Sequence, residues 1–151
     1  MTIKGCIKVA SLPVLWFCLM ALPVSSAWAE YVNSAITNPN DAIYWLDQGG
    51  LFATYGNYTA AVEAYKKALA LDANNSEAYF NLSVAHAELG ELDLALEEIN
   101  RAIAMDSSQD RYYYSRAWLL LRSGRMDEAV NNFRKAADMG NLDAITYLQE
   151  R

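Results

Sequence analysis

Cysteine is nearly absent from this chain of 151 residues, and its two copies lie close to the start, at Cys6 and Cys18. The rest of the sequence therefore has no thiol for a disulfide, a covalent catalytic intermediate or a cysteine metal site. Histidine occurs once, as His86. One imidazole without cysteine partners does not make a typical zinc site, so we expect no bound metal and no cofactor.

Catalytic motifs are also missing from the sequence. No Ser-His-Asp arrangement and no glycine-rich phosphate loop can be recognised around His86, which we interpret as a core or boundary histidine. Adjacent acidic pairs occur at 97–98 and 127–128. Neighbours along a helix point in different directions, so these pairs do not form an acid/base dyad. We predict no catalytic residue and no enzymatic activity.

Basic residues are outnumbered by acidic ones, 12 against 18, which gives a net charge of −6. Two of the lysines, Lys4 and Lys8, belong to an N-terminal segment that we expect to be removed. Without them the balance is 10 − 18 = −8. An acidic protein of this kind is a poor partner for nucleic acid or for anionic lipid surfaces.

The one long apolar stretch lies near the start, over residues 9–22, after two lysines and before a small-residue A-x-A motif that ends at Ala29. This order is typical of a secretory signal peptide, so we predict cleavage after Ala29 and a mature chain that begins at Glu30. The rival interpretation is an uncleaved membrane anchor. The stretch is shorter than the roughly 20 residues that a membrane span needs. We therefore expect a periplasmic or otherwise exported protein that is not membrane-embedded after cleavage.

The remaining sequence contains one pattern three times, at a spacing of 34 residues. Glycine recurs at one place in each copy, between two apolar-periodic segments, where a positive backbone angle would let one helix turn into the next. Each second segment also repeats two alanines and one bulky residue. These recurring residues are Gly56, Gly90 and Gly124; Ala61, Ala95 and Ala129; Ala68, Ala102 and Ala136; and Tyr65, Ile99 and Phe133. A period of this length indicates helical hairpins that bury their apolar faces against one another.

The first copy reads Trp45, Gly49 and Phe52, and then Ala61 and Tyr65, in an order that resembles the tetratricopeptide repeat (TPR) family. The resemblance covers about three quarters of the chain. It implies an all-α fold, an α-solenoid of three helical hairpins with a short C-terminal capping helix, and the last segment also bears a weak resemblance to Sel-like repeats. We divide the chain into a cleaved signal peptide (1–29), an N-terminal linker (30–41), three repeats (42–75, 76–109 and 110–143) and the capping helix (144–151).

One departure from the family pattern concerns the proline that usually stands near the end of each repeat. Ala73, Ser107 and Asn141 occupy those places here. Because proline stiffens a turn, its absence predicts looser junctions between the repeats.

The resemblance also implies a concave groove, lined by the first helix of each hairpin, that holds a peptide segment of another protein. Residues three and four apart share a helical face, so this groove can be traced through the second and third copies. The candidate binding residues are Phe80, Asn81, Val84, Arg111, Tyr114, Trp118, Leu121 and Arg122. The carboxylate-clamp subtype of the family needs polar residues where this chain has Leu46 and Gly50, which favours an apolar or aromatic ligand segment with at most a carboxylate beside one of the arginines.

Two functional interpretations follow from this surface. The first is an exported scaffold or adaptor for protein-protein interaction, because aromatic anchors beside arginine dominate the binding energy of many interfaces. The alternative is a structural module that assembles with itself through end-to-end packing of repeats. The chain's own tail could also cover Trp118 and Leu121.

Overall fold

The computed structural model describes residues 38–150, which form seven α-helices and, within that range, no strand. The predicted signal peptide and most of the linker lie outside the described residues. The expected all-α solenoid of helical hairpins is confirmed. The helices are α1 (Ala42–Thr54), α2 (Tyr58–Leu71), α3 (Ser76–Glu88), α4 (Leu92–Met105), α5 (Asp110–Arg122), α6 (Met126–Asp138) and α7 (Leu142–Gln149).

Each hairpin turns at the glycine that recurs in the sequence. Gly56, Gly90 and Gly124 have φ angles of 74°, 82° and 76°, in the left-handed region that other residues adopt only at a cost. The backbone N–H of each glycine donates to a carbonyl of the helix just completed, such as that of Ala53 at 3.0 Å from Gly56. The three turns are therefore equivalent, and each second helix folds back onto its first.

The second helices bury the residues that the repeat pattern singles out. All six of the recurrent alanines are fully buried, and among the bulky residues between them Ile99 and Phe133 are fully buried and Tyr65 nearly so. Alanine at these positions lets neighbouring helices approach closely, while the bulky residue fills the space between them. The buried residues form two clusters, a smaller one between the first and second hairpins and a larger one that extends from the second hairpin to α7.

A close approach in the first hairpin explains Gly49. A Cβ atom added there would lie 2.3 Å from Cε1 of Tyr65, which is well inside van der Waals contact. The equivalent positions of the next two repeats hold Ser83 and Ala117, both buried. The absence of a side chain at Gly49 thus makes room for the tyrosine ring.

Ser83 brings a hydroxyl group into the core of the second hairpin. Its Oγ donates to the carbonyl oxygen of Ala95 at 2.8 Å, so the buried hydroxyl is satisfied. The bond joins the middle of α3 to the first turn of α4. It fixes the relative position of the two helices of that hairpin.

Aspartates hold the junctions between repeats where proline is missing. Asp72 Oδ1 accepts from the backbone N–H of Asn74 at 3.0 Å. Asp106 accepts from the N–H of Ser108 at 2.9 Å, from its hydroxyl at 2.6 Å and from the amide of Gln109 at 3.0 Å. These side chains hydrogen-bond the backbone two residues on, which is the usual Asx turn. The expectation of looser junctions remains untested, but the turns do have their own bonds.

The capping helix α7 already begins at Leu142, before the predicted range of 144–151. It follows a fourth left-handed glycine, Gly140, with φ 96°. Asn141 caps the helix by accepting from the N–H of Ala144 at 2.9 Å, and its Nδ2 donates to Asp110 at 2.7 Å. Asn141 thereby ties α7 to the start of α5.

The first helices of successive hairpins, α1, α3 and α5, contact one another more closely than the second helices do. They form one surface of the array, and α2, α4 and α6 form the other. The predicted groove lies on the first of these surfaces. Among residues 38–150, no helix is both long and apolar enough to span a membrane.

Candidate functional site

A shallow groove runs between α3 and α5, and we define the α3–α5 groove by Phe80, Val84, Ala87, Arg111, Trp118 and Arg122. Within it lies a pocket of about 140 Å³. Its lining residues are Ser83, Val84, Ala87, Glu88, Ser115, Trp118, Leu119 and Arg122. Both helices are needed to form this pocket, because α3 supplies one wall and α5 the other.

Trp118 is the largest exposed side chain of the groove, with 42% of its surface accessible. Its ring meets three others edge to face, at centroid distances of 6.3 Å to Tyr114, 5.6 Å to Phe133 and 5.6 Å to Tyr147. Phe133 is fully buried and also stacks on Tyr147 at 4.0 Å. The aromatic cluster thus fixes the indole on its inner edge and leaves its outer face open.

The tail of the chain covers part of the predicted surface. Tyr147 belongs to α7 and supports Trp118 from one side, while Leu121 is half-buried and packs against the core. The tail therefore covers Trp118 in part, through Tyr147. The exposed part of the indole faces the pocket formed with α3.

A second layer of the groove is built around Arg111. Its guanidinium carbon lies 5.0 Å from the ring centre of Phe80 and 5.3 Å from that of Tyr112, and these two rings stack at 5.0 Å. Arg111 also pairs with Glu77 at 3.5 Å. The cation thus covers the aromatic rings and has a carboxylate of its own at the groove edge.

Arg122 closes the other end of the groove. Its Nη2 donates to the carbonyl oxygen of Ala87 at 2.8 Å, near the end of α3. The same carbonyl also accepts from the backbone N–H of Gly90 at 3.1 Å, so Arg122 adds a second bond at the end of α3. Arg122 therefore links α5 to α3 and forms the polar edge of the pocket.

The structure brings together most of the residues that the sequence analysis selected. Val84, Trp118 and Arg122 line the pocket, and Phe80 and Arg111 form the neighbouring layer. Tyr114 and Leu121 contribute mainly to the core beneath, and Asn81 is half-buried and does not line the pocket.

The list of candidate residues from the sequence lacked six residues of the site: Ser83, Ala87, Glu88, Ser115, Leu119 and Tyr147. Glu88 lies four residues after Val84, and Ser115 three residues before Trp118. The same helical spacing that selected their neighbours could have found both. The position of Tyr147 depends on how α7 packs, which no local spacing reveals.

Two largely buried titratable groups outside the groove, His86 and Glu98, have charged neighbours. His86 is 4% exposed, and its Nδ1 lies 2.5 Å from Oε2 of Glu91, which agrees with a core histidine. Burial raises the pKa of Glu98, and the nearby Arg101 guanidinium partly offsets that shift. No group of three or more metal-ligating side chains occurs among the described residues.

Three sequence models of the tetratricopeptide repeat match this chain, over residues 26–76, 53–119 and 110–139. Together the matches include all three hairpins seen in the structure. The chain belongs to the tetratricopeptide repeat family. Proteins built as TPR scaffolds are generally non-enzymatic, and members of the family act in protein-protein interaction.

A TPR repeat-containing protein of the archaeon Methanocaldococcus jannaschii is 34% identical over 57 residues. The match covers 38% of this chain and 10% of that protein, so this chain spans only a small part of the curated relative. The relationship therefore concerns the repeat unit and not a whole protein.

Two solved TPR structures have a similar fold. The first TPR of Spaghetti (RPAP3), bound to the HSP90 peptide SRMEEVD, has a TM-score of 0.69 and 21% identity, covering 73% of this chain and 89% of its own. The second TPR domain of human RPAP3, in complex with the HSP70 peptide SGPTIEEVD, has a TM-score of 0.67 and 27% identity, covering 72% and 92%. Both of these relatives bind peptide segments.

Proposed function

We propose that the mature protein is an exported adaptor that holds an apolar or aromatic segment of another protein in the α3–α5 groove. The observation that carries this proposal is Trp118, a large aromatic side chain that is 42% exposed beside an apolar pocket. Exposed aromatic surface next to a cavity is typical of a binding site, and tryptophan is among the residues that most often dominate binding energy.

The internal partners of the two arginines favour an apolar ligand. Arg111 pairs with Glu77, and Arg122 donates to a backbone carbonyl. A ligand carboxylate at either site would compete with a bond already formed. An apolar side chain entering the pocket beside Val84 would face no such competition, and it would bury the open face of the indole.

The solved relatives support peptide binding as the mode of action but not the same ligand. Their peptides, SRMEEVD and SGPTIEEVD, end in an acidic segment. Of the positions that the family's carboxylate clamp uses, this chain matches only at Asn81 and Arg111. Its net charge of −6 also opposes an acidic segment. We therefore assign the groove to a segment whose anchoring side chain is apolar or aromatic.

Site-specific photo-crosslinking in cells tests the groove directly. A photo-reactive amino acid replaces Val84 in one variant and Leu94 in a control, because Leu94 is a similarly exposed side chain on α4, outside the groove. We expect one defined partner to be captured from position 84 and not from position 94. Equal capture from both positions would contradict the groove assignment.

Trp118→Ala then measures the contribution of the anchor. With the captured partner purified, binding should weaken by about 2 kcal/mol or more, which is roughly thirtyfold in the dissociation constant. Because Trp118 also packs on Phe133, the helicity and thermal midpoint of the variant are measured alongside. Val84→Glu, at the opposite wall, provides a second variant that removes no ring contact and should weaken binding as well.

Export is the second part of the proposal, and it rests on the sequence of residues 1–29. Mass spectrometry of the protein purified from its native cells would give the N-terminus. We expect the chain to begin at Glu30. A protein that retains Met1 or the apolar stretch would contradict the predicted cleavage after Ala29.

Self-assembly is a second candidate function, favoured by apolar residues at both ends of the array. Leu142 on α7 is 76% exposed, and at the other end α1 exposes Ile43 and Leu51, followed by the exposed Tyr55. End-to-end packing would bury both sets. Light scattering over a range of concentrations should then give a rising mass that Leu142→Asp abolishes. A constant monomer mass would exclude this function.

A further inference from the structure

A second, larger pocket lies on the other surface of the array, where α5 is flanked by α4 and α6. Its volume is about 280 Å³, and it shares no lining residue with the pocket of the α3–α5 groove. Leu96 and Leu120 form its apolar floor. The polar lining residues are Asn100, Arg116, Arg125, Glu128 and Asn132.

Arg116 is the central cation of this pocket. Its Nε donates to Oδ1 of Asn132 at 2.7 Å, and its Nη1 donates to Oδ1 of Asn100 at 2.9 Å. Both acceptors are neutral amides. The amide of Asn132 is oriented for this role, because its Nδ2 donates to the carbonyl oxygen of Glu128 at 2.8 Å. Arg116 forms no ion pair with any carboxylate of residues 38–150, and its Nη2 makes no hydrogen bond there.

The repeat itself shows that an arginine is not required at this place. The equivalent position of the second repeat, 34 residues earlier, holds Leu82, which is 2% exposed. The third repeat therefore puts a cation where the fold accepts a buried leucine. Burial lowers the pKa of the Arg116 guanidinium, and the nearby Tyr113 and Glu128 offset that shift only in part. Asn100, Asn132 and the Tyr113 ring compensate part of this desolvation cost, and an anionic ligand would compensate more of it.

The charges around Arg116 leave a local excess of one positive charge. Arg125 forms a bidentate pair with Glu128, with both N···O distances at 2.7 Å, so that carboxylate is already neutralised. The pocket thus contains two arginines against one glutamate, in a chain with a net charge of −6. Because Nε and Nη1 already donate to Asn132 and Asn100, Nη2 is the nitrogen of Arg116 that remains to donate to a carboxylate.

We propose that this pocket binds a carboxylate group, held by Arg116 above the leucine floor with Asn100 beside it. The carboxylate can come from a small organic acid or from the C-terminus of a peptide, since both present the same planar group. This site is independent of the α3–α5 groove, so either one can fail in experiment without the other.

NMR of the arginine side-chain Nε–Hε groups of the mature protein tests the proposal at constant ionic strength. Acetate represents a free acid and triglycine a peptide C-terminus, while triglycine amide lacks the carboxylate. We expect saturable shifts of the Arg116 signal with acetate, triglycine or both, with a dissociation constant of about 1–10 mM, and none with the amide. Comparison of acetate with triglycine then identifies which source of carboxylate fits better.

Three variants separate a binding role from a structural one. Arg116→Leu should fold with an unchanged or higher thermal midpoint, since the second repeat has leucine there, and its carboxylate-induced backbone shifts around the pocket should be lost. Arg116→Lys keeps the charge without the fork and should bind at least about tenfold more weakly. Arg134→Gln removes one positive charge from an exposed position of α6 outside the pocket, and should bind like the natural protein.

Several results would overturn the proposal. Shifts that do not saturate, shifts that are equal with triglycine amide, or a loss of binding in Arg134→Gln as large as in Arg116→Leu would reduce the effect to general electrostatics. Binding of inorganic phosphate without binding of either carboxylate would assign the pocket to another anion. If Arg116→Leu fails to fold, the Nε shift of Arg116 in the natural protein and the Arg116→Lys variant still decide the question.

Discussion

Adjacent glycines in α1 offer a sharp test of how the first hairpin is packed. Alanine is the better helix former by about 1 kcal/mol, so both Gly49→Ala and Gly50→Ala gain the same intrinsic stability. At Gly50 a new Cβ meets nothing within 4 Å. Gly50→Ala should therefore stabilise the protein by about 0.5–1 kcal/mol.

Gly49→Ala should have the opposite effect. Its Cβ would lie 2.3, 2.5 and 2.9 Å from three ring atoms of Tyr65, where about 3.5–4.0 Å is normal. Tyr65 is only 3% exposed, so its ring cannot move aside freely. Overpacking of this kind costs about 1–3 kcal/mol, and three short contacts place this case near the upper end. After the helix gain of about 1 kcal/mol is subtracted, we expect a net loss of about 2 kcal/mol.

The two variants should then differ by about 3 kcal/mol, or roughly 10 °C or more in thermal midpoint for a domain of this size. Thermal unfolding followed by circular dichroism measures the difference. Equal midpoints for Gly49→Ala and Gly50→Ala would refute the packing argument. The double variant Gly49→Ala/Tyr65→Leu provides a further check, because the smaller side chain should restore much of the lost stability if the clash with the ring is its cause.

Three further predictions concern the core and its titratable group. Glu98 is 13% exposed and burial raises its pKa, so the free energy of unfolding of the natural protein should fall as the pH rises from about 4 to 7. Glu98→Gln should remove this fall when unfolding is followed in urea titrations. The control Glu97→Gln, at an exposed neighbouring position, should keep it. Ser83→Ala should cost about 1 kcal/mol in the free energy of unfolding, because the hydroxyl bond to Ala95 is lost, and an unchanged value would contradict the role of that bond. Phe133→Ala should lower the free energy of unfolding by about 3–5 kcal/mol and shift the fluorescence of Trp118, whose ring it contacts. A decrease below about 1 kcal/mol would show that the aromatic cluster is not part of the core.

The stability contributed by Glu98 depends on pH because the folded and unfolded states bind its proton with different affinities. A raised pKa in the folded state means that the folded protein holds the proton more tightly than the unfolded chain does. The protonated form thus contributes stability at low pH, and this contribution disappears as the pH rises through the folded-state pKa. The same pH dependence in Glu98→Gln as in the natural protein would assign the effect to another group.

Most of the fold could be predicted from the sequence because the pattern of one helical hairpin occurs in it three times. Gly56 and its two counterparts fix the turns, and residues such as Ile99 fix the buried layer, since a helix of this period presents the same face in each copy. A single amphipathic helix would have left the partners of that face unknown. Repetition removes this uncertainty, because each hairpin packs on a neighbour of its own kind.

The functional surfaces were less predictable, for a physical reason. The groove residues on α3 and α5 follow from helical spacing, so Val84 and Trp118 could be selected in advance. Tyr147 reaches Trp118 only because of the packing angle of α7, and the network of Arg116 joins three helices. Contacts of this kind depend on the packing angles between helices, and local sequence patterns carry little information about those angles. Comparison of position 116 with its equivalent, Leu82, was nevertheless available from the sequence alone.

The aspartate turns between repeats have a consequence for how the array bends. A proline would hold such a junction by covalent geometry, independently of the solvent. Here the second junction depends on an ionised side chain, and the hydrogen bonds from Ser108 hold the pKa of Asp106 below its ordinary value. Its contribution is therefore complete near neutral pH and is lost as the pH falls through that lowered pKa. In acid the junction between the second and third repeats should consequently lose these hydrogen bonds, whereas a proline at the same place would hold the turn at any pH.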